Sequence, residues 1–229
     1  MTKAVLFDIE GTIGDISFVR NVLFPFARQR VSGHFAKHWN DKGTQNILDE
    51  ARIASGKQLL TAEDATIQFH DWIDQDKKLT PLKALQGILW REGYESGELK
   101  AHLYADATSA FDRWVKQGKK LFIYSSGSID AQMLYLSFSI AGNLTRLFSG
   151  YFDTTTGPKA VAESYTSIAR AISNEPGNIT FFSDAVPEIK AAQLAGFKVY
   201  CVDRTMPADF ADTGGAYPVI GSFEGLQNL

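Results

Sequence analysis

Four short runs of apolar and β-branched residues recur along the chain. They occupy residues 3–9, 120–125, 179–184 and 197–203. Because apolar residues are nearly continuous in each run, the runs are typical of strands buried on both faces of a parallel sheet. Segments with helical apolar spacing lie at residues 107–117, 159–173 and 187–195, and Gly118 and Gly196 mark two helix ends. This alternation predicts an α/β fold with a doubly wound parallel sheet.

The interval between the first two runs is too long for one crossover. A βαβ unit takes about 30 residues, whereas the first run ends at Ile9 and the second begins at Lys120. Helical spacing recurs there in residues 19–39, 44–55, 62–75 and 81–91. Residues that begin or end helices mark the boundaries: Thr61 and Thr80 as N-caps, and Gly43, Gly56 and Gly93 as breaks. We therefore predict an α/β core of residues 1–14 and 101–229, with residues 15–100 inserted as an α-helical cap domain.

The composition of the chain indicates the cellular compartment and the class of binding partner to expect. The chain has 229 residues, 45% of them hydrophobic, which is enough for a sizeable core. Cys201 is the only cysteine, so an internal disulfide is excluded and a reducing compartment is expected. No stretch resembles a signal peptide or a membrane span. A net charge of −3 gives no electrostatic reason to expect nucleic acid or a lipid surface. We expect a cytoplasmic protein whose partner is a small molecule or another protein.

Reactive side chains follow three of the predicted strands. The first strand leads into Asp8-Ile9-Glu10-Gly11-Thr12, the second into Ser125-Ser126-Gly127-Ser128, and the third into Ser183-Asp184 with Glu188 beyond it. Lys159 opens the helix before the third strand. Because ligands bind outside the carboxyl ends of parallel strands, these groups are expected to converge on one edge of the sheet.

Together these groups suit the hydrolysis of a phosphate ester. Asp8 can attack phosphorus to form an aspartyl-phosphate, and Asp8 and Asp184 offer the oxygen ligands that Mg²⁺ prefers. Lys159 and the amides at Ser126 would hold the phosphate oxygens. Glu10 could protonate the leaving oxygen and then activate water.

Each group alone has a plainer explanation. Asp8 and Glu10 could belong to a solvated turn, the serines could cap the next helix, Lys159 could be a surface residue, and Asp184 could cap the helix near Pro187. Their joint occurrence at successive strand ends favours the catalytic interpretation. Elsewhere we expect surface or packing roles for two histidines that could suggest a metal site, His34 and His38. We expect core packing for the other residues that could suggest a binding site: Trp39, Phe69, Trp72, Trp90 and Cys201.

The order of these motifs resembles that of the haloacid dehalogenase-like phosphohydrolases. Most phosphatases of that superfamily have Asp-x-Asp in the first motif, where this chain has Asp8-Ile9-Glu10. Longer strings at residues 7–12, 16–19, 22–25, 96–104 and 123–132 resemble the enolase-phosphatase family of methionine salvage, and the similarity covers nearly the whole chain.

The resemblance implies a bifunctional enzyme. It would convert 2,3-diketo-5-methylthiopentyl 1-phosphate to the acireductone 1,2-dihydroxy-3-keto-5-methylthiopentene and phosphate. Asp8, the backbone carbonyl of Glu10, and Asp184 would bind one Mg²⁺ per monomer, and Ser125, Ser126 and Lys159 would bind substrate. A monomer is implied, in the cytoplasm or, in a eukaryote, also in the nucleus.

Two segments depart from the family pattern, Ile13-Gly14 and Arg204-Thr205-Met206-Pro207, and neither removes a group that the chemistry needs. Two alternatives remain open. One is a phosphatase for another small phosphometabolite, and the other is a non-catalytic protein that binds a phosphorylated ligand. A dehalogenase is disfavoured, because displacing halide needs neither a metal site nor an acid for the leaving group.

Overall fold

The structure, a computed structural model, describes residues 2–229. The chain forms two compact units, one of residues up to Ile16 together with Ala101–Leu229, the other of Ser17–Lys100. In chain order the elements are β1 (Ala4–Phe7), α1 (Ile16–Phe18), α2 (Phe24–His38), α3 (Lys42–Ser55), α4 (Ala62–Asp74), α5 (Thr80–Glu95), α6 (Ala105–Lys116), β2 (Lys120–Tyr124), α7 (Ile129–Ser137), β3 (Phe148–Phe152), α8 (Ala162–Ala171), β4 (Ile179–Ser183), α9 (Val186–Leu194), β5 (Lys198–Val202), β6 (Ala211–Asp212) and β7 (Val219–Ile220). A π-helical segment, Val19–Leu23, joins α1 to α2.

Within the described residues, the larger unit contains one seven-stranded sheet in the order β3-β2-β1-β4-β5-β7-β6. All pairs are parallel except β6 with β7. β1 lies between β2 and β4, and Phe7 pairs with Ile123 and Phe182. The chain segments that leave these three strands therefore emerge side by side at one edge of the sheet.

Both faces of this sheet are buried, which explains the continuous apolar runs. On one face, Leu6 and Phe181 pack in a cluster with Tyr165 and Ile168 of α8 and Ile189 of α9. On the other face Phe7 contacts the rings of Phe111 and Trp114 of α6, at centroid distances of 5.1 and 5.9 Å. Phe182 and Phe223 complete this aromatic layer.

The doubly wound parallel sheet is confirmed, and the structure corrects several details. The four predicted strands are present with shorter bounds, but β3, β6 and β7 were not predicted. β3 pairs only with β2, and its residues are mostly half-exposed, so it lacks a buried apolar run. α7 was also not predicted as a segment, although its N-cap is Ser128, whose Oγ accepts from the Ala131 amide. Lys159 does not open α8, which begins three residues later at Ala162.

The smaller unit is helical and has its own core. Buried residues from all four of its longer helices form one cluster, among them Val31, Phe35, Leu48, Phe69 and Leu85. Phe69 and Trp72 are buried in it, and Trp39 and Trp90 pack against it, as expected of core aromatics. Among residues 2–229, no helix combines the length and apolar character needed to cross a bilayer.

Helix boundaries in this unit follow the capping residues only in part. Gly56 ends α3 in the left-handed conformation with φ of 69°, as predicted. Gly43 and Gly93 do not break helices, because they lie inside α3 and α5. Thr80 is the first residue of α5, whose N-cap is Leu79. A helix can begin without a side-chain cap where the following Pro81 needs no amide partner.

Thr61 does cap α4, through a reciprocal pair of hydrogen bonds. Its Oγ1 accepts from the Asp64 amide, and Asp64 Oδ2 accepts from the Thr61 amide, each at 3.1 Å. We expect Thr61→Ala to lower the free energy of unfolding by about 1 kcal/mol. Thr66→Ala is the matched control, since Thr66 only donates back to the Ala62 carbonyl within the same helix. Urea unfolding followed by circular dichroism measures both variants, and equal losses would contradict the capping role.

Candidate active site

The loop after β1 is folded tightly by its own backbone. The Ile9 carbonyl accepts hydrogen bonds from the amides of Thr12, Ile13 and Gly14, and Gly11 donates to the Gly14 carbonyl at 2.8 Å. Gly11 has φ of +76°, a conformation that favours glycine. This loop, residues 8–14, is called the nucleophile loop below. It presents Asp8, buried at 5% exposure, and Glu10, which is half-buried.

The carboxylate of Asp8 is held at both oxygens. Lys159 Nζ donates to Oδ1 in a salt bridge between two side chains that are each 7% exposed. Thr12 Oγ1 donates to Oδ2 at 3.2 Å, and the Asp8 amide donates to the Phe182 carbonyl of β4 at 2.9 Å. A buried carboxylate paired with one cation and fixed in orientation is arranged as a nucleophile would be.

Lys159 bridges two carboxylates. Besides Asp8, its Nζ lies 2.7 Å from Glu188 Oε2, and that same oxygen accepts from Ser183 Oγ at 2.8 Å. Tyr165 donates to the Lys159 carbonyl at 2.7 Å and so fixes its backbone. Burial alone would lower the pKa of Lys159, but the charges of Asp8 and Glu188 outweigh it and raise the pKa. The ammonium therefore stays charged.

Asp184 lies against the nucleophile loop. A Cβ at Gly11 would collide with its carboxylate, so the glycine leaves the space that this side chain occupies. The Asp184 amide donates to Thr12 Oγ1 at 3.0 Å. Asp184 keeps access to solvent, yet the surrounding protein and the negative charge of Asp8 raise the pKa of its carboxyl to about 6. Two acids that repel each other at one edge of the sheet form a place for a cation.

Ser125 and Ser126 follow β2 at the same edge. Ser125 is buried, its amide donates to the Phe152 carbonyl at 3.2 Å, and its Oγ accepts from the Gly127 amide at 3.2 Å. Gln132 Nε2 bonds the carbonyls of Gly127 and Phe152 and joins this loop to the end of β3. The loop is thus rigid before any ligand binds.

The carboxylate oxygens of Asp8 and Asp184 are suitable ligands for Mg²⁺. Within residues 2–229 there is no cluster of three or more His, Cys, Asp or Glu side chains placed to hold a metal. Mg²⁺ does not require one, because it commonly takes one or two carboxylates and completes its shell with water and substrate phosphate. Asp8 and Asp184 supply the two carboxylates of that pattern.

The structure also shows functional residues that the sequence did not assign. Thr12 and Glu188 were noted as part of the motifs but given no role, and Tyr165 lies within the helical segment at residues 159–173 without having been singled out. The spacing of Asp184 and Glu188, four residues apart at the start of α9, was the available signal. The buried His34 bonds Thr44 Oγ1 at 3.2 Å, and the half-buried His38 bonds Asp41 at 2.7 Å, in line with the surface or packing roles expected of them.

Comparison with known proteins supports this description. The haloacid dehalogenase-like hydrolase family matches residues 2–196. The chain is 44% identical to "Enolase-phosphatase E1" of Alcanivorax borkumensis over 99% of both chains, and 42% identical to the protein of the same name from Persephonella marina over the full length of both. Among solved structures, the UTR4 protein of Saccharomyces cerevisiae superposes with a TM-score of 0.81 at 33% identity, covering 99% of this chain and 100% of that one.

These matches extend over all four of Asp8, Ser125, Lys159 and Asp184. The chain therefore belongs to the haloacid dehalogenase-like hydrolases and, within them, to the enolase-phosphatase E1 family.

Proposed function

We propose that this enzyme converts 2,3-diketo-5-methylthiopentyl 1-phosphate to the acireductone 1,2-dihydroxy-3-keto-5-methylthiopentene and phosphate, in methionine salvage. The name that the two relatives share combines enolase and phosphatase chemistry. This chain is 42–44% identical to them over essentially the whole length, which supports the same pair of reactions here. Asp8 and Glu10 are the catalytic residues of this proposal, and Ser125, Ser126 and Lys159 bind the substrate.

One observation is the main support for the phosphatase reaction in this proposal. The buried Asp8 carboxylate has a cation on one oxygen and a hydroxyl on the other, beside the second acid Asp184. Asp8 and Asp184 together offer two carboxylates at the carboxyl edge of the sheet, as a metal-assisted reaction at phosphorus requires. Lys159 and the hydroxyls of Ser125 and Ser126 supply the cation and the hydrogen-bond donors that an approaching phosphate requires.

The phosphoryl transfer then proceeds in two steps. An Asp8 oxygen attacks phosphorus while the bond to the leaving oxygen breaks, and Glu10 gives its proton to that oxygen. Water next attacks the aspartyl-phosphate and loses a proton to Glu10, which releases phosphate and restores both carboxyl groups. Lys159 balances the charge of the phosphoryl group throughout, because Glu188 and Tyr165 hold it in place.

Enolisation requires a base and no nucleophile. Glu10 is the candidate base, since it lies in the same loop as Asp8 without being the attacking group. A Mg²⁺ ion held by Asp8, Asp184 and the Glu10 carbonyl would neutralise phosphate charge and polarise the substrate carbonyl.

Turnover of the diketone phosphate tests the proposal directly. Ultraviolet absorbance reports the acireductone and a phosphate assay reports hydrolysis, both with and without Mg²⁺. We expect both signals to depend on Mg²⁺. Phosphate release from other small phosphate esters but not from this one would indicate a phosphatase for another metabolite, and no release from any ester would indicate a protein that only binds phosphorylated ligands.

Asp184→Asn should raise the Mg²⁺ concentration needed for half-maximal phosphate release by at least about tenfold, because one of two charged ligands is lost. The matched control is Asp153→Asn, at the end of β3, where Oδ1 only accepts from Thr155 and an asparagine oxygen can replace it. Titration of Mg²⁺ at saturating substrate measures both variants. An unchanged Mg²⁺ requirement in Asp184→Asn would remove this residue from the ligand set.

The proposal includes the division of the chain into a catalytic core of residues 1–14 and 101–229 and a helical cap domain of residues 15–100, which the two compact units support. It also includes a cytoplasmic monomer that acts on a small molecule, without nucleic acid or membrane. The net charge of −3 gives no reason to expect nucleic acid or a lipid surface, the single cysteine supports a reducing compartment, and the monomer rests on the family resemblance.

A further inference from the structure

An arginine far along the chain reaches into the nucleophile loop. Arg204 lies two residues beyond β5, in the segment where the sequence departs from the family pattern. Its Nε and Nη2 both donate to the Thr12 carbonyl, at 2.9 and 2.6 Å. The backbone of the nucleophile loop is therefore held from outside the loop, by a residue 192 positions away.

The guanidinium is itself firmly held. Nη1 donates to Asp106 Oδ2 at 2.7 Å, and both side chains of this ion pair are about nine-tenths buried, at 11% and 10% exposure. The rings of Tyr104 and Phe223 lie 4.2 and 4.9 Å from the guanidinium carbon. Asp106 also accepts from the Phe223 amide at 2.8 Å. An arginine with a planar fork of donors and stacked rings has little freedom to move.

Thr12 transmits this constraint to the reacting groups. Its carbonyl is bonded by Arg204, while its fully buried hydroxyl donates to Asp8 Oδ2 and accepts from the Asp184 amide. One residue thus connects the arginine to both acids of the site. A shift of Thr12 would turn the Asp8 carboxylate and displace Asp184 together.

We propose that Arg204 is a positioning residue, which acts through Thr12 to hold Asp8 and Asp184 in the geometry for phosphoryl transfer. The inference rests on the proposed phosphatase function. A positioning role differs from a role in stability alone, because the two donors of the Arg204 guanidinium bind the backbone of the nucleophile loop and not a segment distant from the site.

Arg113 is a matched comparison within the same unit. Its Nη2 also donates to two backbone carbonyls, those of Phe223 and Leu226, at 3.0 and 3.1 Å, and its guanidinium carbon lies 5.7 Å from the Trp114 ring. These bonds fasten the C-terminal segment and end on no residue of the nucleophile loop. Losing Arg113 removes an arginine-to-carbonyl anchor that makes no bond to Thr12. Because Arg113 holds the Phe223 carbonyl and the Phe223 ring packs on Arg204, this variant also measures what a loosened Phe223 does to the site by itself.

The test compares Arg204→Gln with Arg113→Gln in the full chain. We expect Arg204→Gln to lower kcat for phosphate release by about a hundredfold, as a small misplacement of a reacting group does. Its KM should change by less than about threefold, because the phosphate-binding residues are untouched. Arg113→Gln should keep the wild-type kcat. Arg204→Lys, which keeps a charge for Asp106 but loses the fork, should fall between.

Native-state hydrogen exchange gives a reading that does not depend on activity. The Asp184 amide, whose acceptor is Thr12 Oγ1, should exchange faster in Arg204→Gln and at the wild-type rate in Arg113→Gln. Arg204 has no positioning role if both variants keep the wild-type kcat and the wild-type exchange rate of the Asp184 amide, or if both variants change these two quantities to the same extent. A wild-type enzyme without phosphatase activity would overturn the proposed function instead, and faster Asp184 exchange in Arg204→Gln alone would still establish the mechanical link.

Discussion

Asp8→Asn should lose phosphate release by several orders of magnitude, because an amide cannot replace the carboxylate as a nucleophile. The side chain keeps its shape: the asparagine oxygen can accept from Lys159, and its amide nitrogen can donate to Thr12 Oγ1, which then accepts instead of donating. Enolisation does not need the nucleophile. The variant should therefore still exchange substrate protons with deuterated solvent and give an ultraviolet signal from the phosphorylated enol, without releasing phosphate.

The companion variant Glu10→Gln should lose both signals, since it removes the base and the acid together. Asp203→Asn is the control for the chemical change. Asp203 follows β5 as Asp8 follows β1, but its Oδ1 only accepts from Thr205, a bond that asparagine can also make. We expect its activity to match that of the wild type.

Two outcomes would contradict these assignments. Phosphate release by Asp8→Asn within about tenfold of the wild type, a barrier change of only about 1.4 kcal/mol, would exclude Asp8 as the nucleophile. Absent proton exchange in Asp8→Asn, with Mg²⁺ and substrate binding intact, would mean that Asp8 is itself the base or that enolisation follows phosphoryl transfer. The role given to Glu10 would then be wrong.

Lys159→Met should lower both the activity and the stability of the protein. It removes the cation between two buried carboxylates, so Asp8 and Glu188 are left near each other with like charge. Losing the phosphate-facing cation should lower kcat by at least about 10²–10³-fold. Leaving buried charges unpaired should lower the free energy of unfolding by roughly 3–5 kcal/mol.

The pH dependence of that stability loss identifies its cause. Burial and the charge of Asp8 already raise the pKa of Glu188, against the opposing effect of Lys159, and without the lysine it should rise further. An acid whose pKa is higher in the folded chain destabilises the fold above its unfolded pKa, and this penalty disappears as pH falls and the group protonates. The stability difference between Lys159→Met and the wild type should therefore shrink towards acid pH.

Lys119→Met is the matched control for this prediction. Lys119 is half-buried just before β2, at the opposite edge of the sheet, and its Nζ donates to the carbonyls of Thr2 and Leu229 at 3.2 Å each. Urea unfolding of both variants across a pH series provides the comparison. If Lys159→Met loses the same free energy of unfolding as Lys119→Met, and this loss does not depend on pH, then repulsion between the Asp8 and Glu188 carboxylates does not cause it.

The sequence by itself determined the elements with strong local signals. A strand buried on both faces must be apolar along its length, so β1, β2, β4 and β5 were visible as runs, and the polar residues after them could be assigned to one edge of a parallel sheet. Helical spacing likewise placed the four longer helices of the smaller unit. Where a residue type has one local physical role, as Thr61 or Gly56 does, its position predicted the boundary.

Only the tertiary structure decided which of those groups meet. Lys159 and Asp8 are 151 residues apart, and no local pattern specifies that Lys159 also binds Glu188 while Tyr165 holds its backbone. β3 escaped prediction because an edge strand with half-exposed residues has no continuous apolar run. The support that Arg204 gives to Thr12 depends on the turn after β5 reaching the loop after β1. Such contacts follow from how the strands order themselves in the sheet, which local propensity does not encode.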